Sequence, residues 1–567
     1  MWKFVPTSLE MIRMTINNIE NTVNSSLWAA YGDALGFISE LADCSLLVKR
    51  TGRDHLSGLV EWKRQVGGMY GPLVSIPSGA YSDDTQLRLS TSRAINQNNY
   101  FDINAFSKVE LPIWSSYALG AGISSKLAAE SLGKKNVTWY NNFYQSKKTS
   151  YVHSGGNGAA MRIQPHVWAS RTPEIVDSFL LDIIKNSLTT HGHPRAIAGA
   201  VFHALCLSQV LKNKNIPSIS DVRLFLRWIN EIPNKIHSDI NLNTAWVPLF
   251  ESQTSTNLEE AYDEVYQELV HLLDIVEKWK AEENPSYSSL VKVLNLKDKR
   301  TRGSGTLTAI AALAASYLHP DNLSSLMLDI VNELGTDTDS IATMVGALRG
   351  YIEGTRPPQE LQDQSYLIYD AERLYTLSQG NECNSFAFPD ASEWNAPVSP
   401  LDFVGIQDGK IVFPPFGEIK PISEEFRSNG TDTYQYFYQW MISKFNQSFL
   451  LKRRNASTLK SFKSEPSSME GNNFSKRVDS SLSKQQQIEI PVDYRTQSKR
   501  PIESNPTIKS SELDIDKLTT EAIKSNFDER LIGSQLLYIS GVMGVNGAIA
   551  YSAIIAKAIT SRKNRNN

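Results

Sequence analysis

Two short acidic runs, about half the chain apart, hold the residue types best suited to chemistry. The first is Ser82-Asp83-Asp84-Thr85 and the second is Thr336-Asp337-Thr338-Asp339-Ser340. Each sets two carboxylates within three residues, flanked by hydroxyls and directly before a helical pattern. Adjacent like charges repel and need a compensating partner. Hard oxygen donors at this density suit Mg²⁺ or Mn²⁺, and two such runs together could form a two-metal site. Asp, Ser and Thr are also the preferred helix N-caps, so either run alone reads at least as readily as capping. Taken together with three further segments, the metal reading is the stronger.

The first of these segments is Gly32-Asp33-Ala34-Leu35-Gly36 followed by Glu40. On a helix, Ala29, Gly32, Asp33 and Gly36 share a small-residue face. If that helix persists, Asp33 and Glu40 lie about two turns apart, near ~10 Å, and can offer carboxylates to a metal and to a substrate. Close packing by the glycines beside a solvated Glu40 is the competing reading. The second segment, His153-Ser154-Gly155-Gly156-Asn157-Gly158-Ala159-Ala160-Met161-Arg162, is a Gly-rich turn that could expose backbone amides to a phosphate. It lacks both the Lys-Ser/Thr of a P-loop and the spacing of a dinucleotide fingerprint. In the third, Thr190-His191-Gly192-His193-Pro194, no further His or Cys sits at zinc spacing. A structural role, or one imidazole on the substrate, is expected there.

The elements that must position these residues read as mostly helical from about 25 to 385. Leu258, Ala261, Tyr262, Val265, Leu269, Leu272 and Val276 form one apolar stripe, with Glu259, Glu260, Asp263 and Glu264 facing away. Further helices are predicted near 306–318 and 339–352, rich in Ala and Gly and suited to close packing. Prolines at 397, 400, 414, 415 and 421 punctuate β-prone pieces over 391–422, and the aromatic run 434–445 is predicted to be a helix. Residues 386–455 thus read as a small appended α+β unit or a cap on the main body. Residues 456–512, rich in Ser, Lys, Gln and Asn, read as a disordered linker. The last stretch, 513–567, reads as a C-terminal helical segment. From Leu531 to Ala556 it has no charged residue or histidine, with Arg530 before it and Lys557, Arg562, Lys563 and Arg565 after it. That length would span a bilayer, but Gln535, Asn546 and several Gly and Ser make it weakly apolar. A buried or oligomerising helix, broken near Gly541, Gly544 and Gly547, is the stronger alternative.

In combination and order, GDALGFISE, SDDTQ, SGGNGAAMR, THGHP and GTDTDSIATMVGALRG resemble the ADP-ribosylglycohydrolase family, the type of dinitrogenase reductase-activating glycohydrolase. The resemblance covers roughly residues 25–355. It implies an all-α, orthogonally packed helical bundle with two Mg²⁺ or Mn²⁺ ions in a cleft. It also implies hydrolysis of the glycosidic bond at C1″ of an ADP-ribose adduct on a protein or another acceptor. By position, Ser82, Asp83 and Asp84 resemble one set of metal ligands, and Asp337, Asp339 and Ser340 the other. Asp33 resembles the acidic residue of the family's first motif and Glu40 the glutamate that gates or positions substrate in some members, and Asp33, Glu40 or Asp84 would be the catalytic carboxylate that serves as base or positions the water. Gly156, Asn157 and Gly158 resemble the loop that holds the diphosphate and distal ribose, and His191 the histidine that contacts ADP-ribose. Where many members have Gly-Gly before the last acidic pair, this chain has Gly335-Thr336, whose added side chain could crowd the substrate.

Composition narrows the field further. Over 567 residues the formal net charge is -3, with 41 % hydrophobic and 21 % charged residues and a mean hydropathy of -0.30. That balance excludes a globally basic nucleic-acid binder and an acidic disordered chain. Three scattered cysteines, Cys44, Cys206 and Cys383, argue against a disulfide framework and fit reduced cytoplasmic thiols. A cytoplasmic location is expected, with membrane association through 531–556 as the variant reading. Two other functions suit the same residues. One is a metal-dependent phosphohydrolase. The other is a non-catalytic ADP-ribose-binding protein on the same fold.

Overall fold

The computed structural model describes residues 8–68, 70–319, 321–391, 393–429, 435–462 and 515–563. The chain divides into two compact units, 1–483 and 484–567. In the first, a helical bundle forms around α1 (Ser8–Ser39), α2 (Cys44–Thr51), α3 (Asp83–Arg93), α4 (Pro194–Asn213), α5 (Leu258–Lys280), α6 (Gly305–Ala315), α7 (Thr338–Glu353) and α8 (Gln364–Ser378). Further helices of ten residues or fewer complete it.

Glycine sets the tightest crossing. A Cβ on Gly32 of α1 would lie 2.3 Å from Ala342 O of α7, and one on Gly346 of α7 would lie 2.2 Å from Trp28 O. Only residues without side chains let two helix backbones approach so closely. The crossing is locked by Ser25 Oγ donating to Ala347 O (2.6 Å) and Thr338 Oγ1 donating to Gly36 O (2.8 Å). A second crossing of the same kind joins Gly199 of α4 to Gly305 of α6. Helix α5 is one-sided, as its sequence predicts. Leu258, Tyr262, Val265, Leu269 and Val276 are buried, and Glu259, Glu260, Asp263 and Glu264 are exposed. Leu273 rather than Leu272 completes the stripe, with Leu272 only half-buried.

Between α2 and α3 a two-stranded antiparallel hairpin pairs β1 (Trp62–Gln65) with β2 (Leu73–Ile76), with Trp62 opposite Ile76 and Arg64 opposite Val74. After α8 the chain turns to β-structure. Strands β3 (Gly405–Gln407), β4 (Lys410–Val412) and β9 (Lys460–Ser461) form one small sheet. Strands β5 (Ile419–Pro421), β6 (Phe426–Arg427), β7 (Phe437–Ser443) and β8 (Ser448–Arg453) form another, centred on β7.

Two sequence expectations change here. The run 434–445 contains no described helix: residues 437–443 are the central strand β7. Its aromatic and β-branched residues fit a pleated surface, and β5, β6 and β8 satisfy its backbone. The appended unit therefore has two small sheets and short turns rather than an α+β mix. The linker also begins later than 456, because β9 adds in parallel to β3, and Arg454 and Lys460 both bind Asp402. The rest of the linker, 463–512, lies outside the described residues.

The β-region is bound to the bundle by polar and aromatic contacts. Arg93 of α3 donates to both oxygens of Glu110 at 2.7 Å and to Gln447 Oε1 at 2.7 Å, and its guanidinium lies 4.9 Å from the Phe416 ring centre. Asp363 accepts from Tyr81 Oη, Ser448 N and Ser448 Oγ at 2.7–2.8 Å.

In the second unit, α9 (Ile515–Lys524) packs on α10 (Glu529–Lys563). Residues 535 and 551 would lie ~24 Å apart on a straight helix, yet Tyr551 Oη bonds Gln535 Oε1. Arg562 likewise returns to within 5.8 Å of the Phe527 ring. The helix is therefore not straight between these contacts. Among the described residues, one helix is long and apolar enough to cross a membrane. It is α4, and 83 % of its apolar window is buried in the bundle.

Candidate active site

The crossing of α1 and α7 brings the end of one helix to the beginning of the other. Helix α1 stops at Ser39, so Glu40 lies in the turn beyond it rather than two helical turns from Asp33. Arg50 Nη1 fixes that turn by donating to Ile38 O (2.8 Å) and Glu40 O (3.1 Å), and Leu41 N donates to Thr336 O (3.3 Å). The first acidic run starts α3. Ser82 is its N-cap, accepting from Asp84 N, and Asp83 N donates to Leu119 O (2.8 Å).

Asp33 is fully buried, and its two carboxylate oxygens accept from Ser82 N (2.9 Å) and Thr85 N (2.8 Å). Both oxygens are committed to the first turn of α3, where a negative charge is favoured. Asp33 thus positions Asp83 and Asp84. These amides take one acceptor site on each oxygen of a carboxylate that has about four.

Around this base the remaining acids gather. Asp84 Oδ1 accepts from Ser340 Oγ at 3.5 Å, and Asp84 Oδ2 is buried with no hydrogen bond of ordinary geometry, although the Thr343 side chain lies near enough to favour the charged carboxylate. Asp339 Oδ1 accepts from Ser340 N (3.0 Å), and Asp337 Oδ2 accepts from Asn157 Nδ2 (2.9 Å). Glu40, with its side chain 16 % exposed, stands at the rim and faces Arg64 at 3.5 Å.

The electrostatics follow from this crowding. Burial, and then the charges of Glu40 and Asp33, hold the Asp83 carboxyl well above the usual carboxylate range. Burial and then Asp33, Asp83 and Asp337 do the same to Asp84. For Asp339 the causes are burial, then Glu40, Asp337 and Asp84. Glu40 is raised by burial and Asp337, with Arg64 and Arg50 opposing. Buried like charges of this density are costly without a cation among them.

The Gly-rich loop is stitched to the start of α6. Asn157 N donates to Gly303 O (2.9 Å) and Gly305 N donates to Gly155 O (3.0 Å). The Asn157 amide is therefore spent inside the protein, in contrast to the exposed amide cradle expected there. Its side chain reaches Asp337 and Thr308 instead. His191 lies against the loop, with its Cε1 2.9 Å from where a Cβ on Gly158 would be. Its Nδ1 is 2.7 Å from Thr190 Oγ1, and burial with Arg162 nearby pushes its pKa down to about 3. His191 is thus a neutral imidazole. His193 has the structural role: its Nδ1 accepts from Arg195 N and caps α4.

Three arginines hold parts of the site although the sequence reading assigns none of them a role. Buried Arg162 donates to Gly158 O (2.7 Å), Asn186 and Thr190 Oγ1 (2.8 Å), linking the loop to the histidine. Its place directly after the Gly-rich run is a signal that could have marked it. Arg50 and Arg64 have no such marker. Thr336 does not crowd the cleft: it is fully buried, and its hydroxyl donates to Glu333 O (2.8 Å).

The donor set suits a hard divalent cation: carboxylates and hydroxyls only, one carboxylate oxygen buried without a hydrogen bond of ordinary geometry, and no sulfur or imidazole at the cluster. The groups are adjacent but not drawn together. Among the described residues, no three His, Cys, Asp or Glu side chains close around a metal position.

A family model for ADP-ribosylglycohydrolases matches residues 18–382. Among solved structures, the chain is similar to an ADP-ribosylglycohydrolase-related protein complex. The identity is 20 %, the alignment covers 64 % of this chain and 99 % of that one, and the TM-score is 0.38. No curated protein matches the chain. The family match spans α1 to α8 and takes in both acidic runs, the Gly-rich loop and His191, and on it the chain belongs to the ADP-ribosylglycohydrolase family.

Proposed function

We propose that this protein hydrolyses the glycosidic bond at C1″ of an ADP-ribose adduct in a Mg²⁺-dependent reaction. Membership of the family supports glycohydrolase-type activity. The observation that carries the finer reading is the meeting of both acidic runs in one buried cluster that contains an oxygen without a hydrogen bond of ordinary geometry, Asp84 Oδ2. Ser82, Asp83 and Asp84 would hold one ion, and Asp337, Asp339 and Ser340 a second. Bound there, Mg²⁺ would orient the ribose hydroxyls and lower the pKa of a coordinated water.

The chain's own residues supply the rest. Hydrolysis of such a bond passes through an oxocarbenium-like sugar. Of the three carboxylates that could take the proton of the attacking water, Asp33 has both oxygens on backbone amides. Glu40 stands at the rim with a single side-chain ion pair and is the better-placed base. Asn157 orients Asp337 from the opposite side, and neutral His191 with the Gly156–Gly158 loop offers a surface to the nucleotide half. The acceptor would lie beyond Glu40.

The test is release of ADP-ribose from a panel of adducts on arginine, serine, nucleic acid and small molecules, with and without Mg²⁺. Release that requires Mg²⁺ and Asp84 supports the reading. Release of inorganic phosphate in its place identifies a phosphohydrolase. Tight ADP-ribose binding with no turnover of any adduct identifies a binding protein.

A further inference from the structure

Glu40 is held from outside the bundle. Strand β1 alternates, so Trp62 and Arg64 face α1 while Lys63 and Gln65 are exposed. Trp62 packs edge-on against Phe37 (5.0 Å between centres, 82° between planes). The Arg64 guanidinium lies 4.5 Å from the Phe37 ring centre and 5.9 Å from that of Trp62, and Arg50 approaches the Trp62 ring at 5.4 Å. Arg64 is therefore seated among rings that fix its planar head, with Nη1 turned to Glu40 Oε2.

The hairpin is in turn gripped by the β-region. Trp440 Nε1 donates to Ser75 O (3.1 Å), Tyr436 Oη to Gly67 O (3.1 Å), and Asn429 N to Tyr70 O (3.0 Å). Three hairpin carbonyls, two of them in the connecting loop, thus take donors from residues about 360 positions later. Gly67, at φ 82, leaves room for this: a Cβ there would sit 2.9 Å from Tyr436 Oη and 3.1 Å from Tyr438 Oη.

We propose that Arg64 is the positioning residue for Glu40, and that the β-region of 400–461 serves the reaction by clamping the β1–β2 hairpin that carries it. The activity arm of the test rests on the function proposed above; the exchange arm does not. Without Arg64, Glu40 would swing toward solvent and leave the reacting centre. An error of about 1 Å in such a group costs on the order of 100-fold in rate.

The experiment uses the full chain with substitutions R64A, R64K, E40Q, R64A/E40Q and Y436F/W440F. R64A is expected to lower kcat about tenfold or more with KM nearly unchanged, and R64K to restore most of the loss. In the E40Q background, R64A should cost less than about twofold, because the residue acts through Glu40. Y436F/W440F should reproduce part of the R64A loss. Equal losses from R64A in both backgrounds, or an unchanged kcat, would overturn the proposal. In parallel, amide hydrogen exchange should accelerate across 39–42 in R64A and across 65–75 in Y436F/W440F, with 85–93 unchanged. If wild type releases no ADP-ribose from any adduct, the functional reading fails and exchange alone decides: unchanged rates at 39–42 and 65–75 overturn the clamp.

Discussion

Asn157 Nδ2 donates to Asp337 Oδ2 at 2.9 Å across 180 residues of sequence, tying the Gly-rich loop to the second acidic run. A hydrogen bond to a charged group is worth about 1.5–3 kcal/mol. Asn157→Ala is therefore expected to lower kcat/KM by about 10–100-fold, and Asn157→Asp by more, since it adds a charge to a cluster already repelling itself. Steady-state kinetics at saturating Mg²⁺, with circular dichroism to confirm the fold, would check both. An Asn157→Ala enzyme with wild-type kinetics would remove the residue from the site.

Asp84→Asn should have effects of opposite sign on stability. It removes one of the mutually repelling buried carboxylates, so the metal-free protein should gain about 1 kcal/mol or more. It also removes a ligand of one of the two ions, so the stabilisation by Mg²⁺ expected in wild type should shrink by about 2.7 kcal/mol, the contribution of one site at a hundredfold excess over Kd. Urea unfolding with EDTA and with Mg²⁺ measures both. A wild-type midpoint that ignores Mg²⁺ would sink the ligand assignment.

Acid sensitivity should come in part from buried histidines. Burial alone pushes His203 from its ordinary value near 6.5 down to about 3. The unfolded chain then takes up a proton first as the pH falls through 6.5, so stability is complete above that pH and is lost on the way down toward 3. At pH 5 this one group costs about 2 kcal/mol relative to pH 7.5. The difference in unfolding free energy between wild type and His203→Gln should shift by about that amount between the two pH values. An unchanged difference would mean the imidazole is charged in the folded state.

Gly32→Ala would put a methyl group 2.3 Å from Ala342 O, a backbone atom that cannot turn aside. The helices would have to part, at a cost of about 3 kcal/mol or more. Because the same crossing sets Asp33 beside α3 and Asp339 beside Asp84, activity per folded molecule should fall too. A Tm within a degree or two of wild type would show that the helices separate freely.

Much of this arrangement was legible in the sequence because it rests on local chemistry. The stripe on α5, the Ala/Gly helices α6 and α7, and the cap at the first acidic run follow from residues within a few positions of one another. The acidic runs declared their chemistry by type and their partnership by family resemblance. What was not legible depends on pairing across the chain. The 434–445 run reads as a helix until β5, β6 and β8 are seen to flank it. The bonds from Ser82 N and Thr85 N to Asp33 join residues about fifty positions apart and leave no local trace. Arg64 carries no motif at all; its place against Glu40 exists only through Phe37, Trp62 and a clamp built from Asn429, Tyr436 and Trp440.

The α1–α7 crossing also has a consequence in time. During synthesis Gly32 emerges some 310 residues before Ala342, a delay of about 15–60 s at ordinary elongation rates. Throughout that interval the apolar face around Trp28 and Leu35 has no α7 to cover it, and the two halves of the acidic cluster cannot meet. Any chain interrupted before residue 340 is therefore born with only the first half of the acidic cluster, and its first helix must be sheltered by something other than α7.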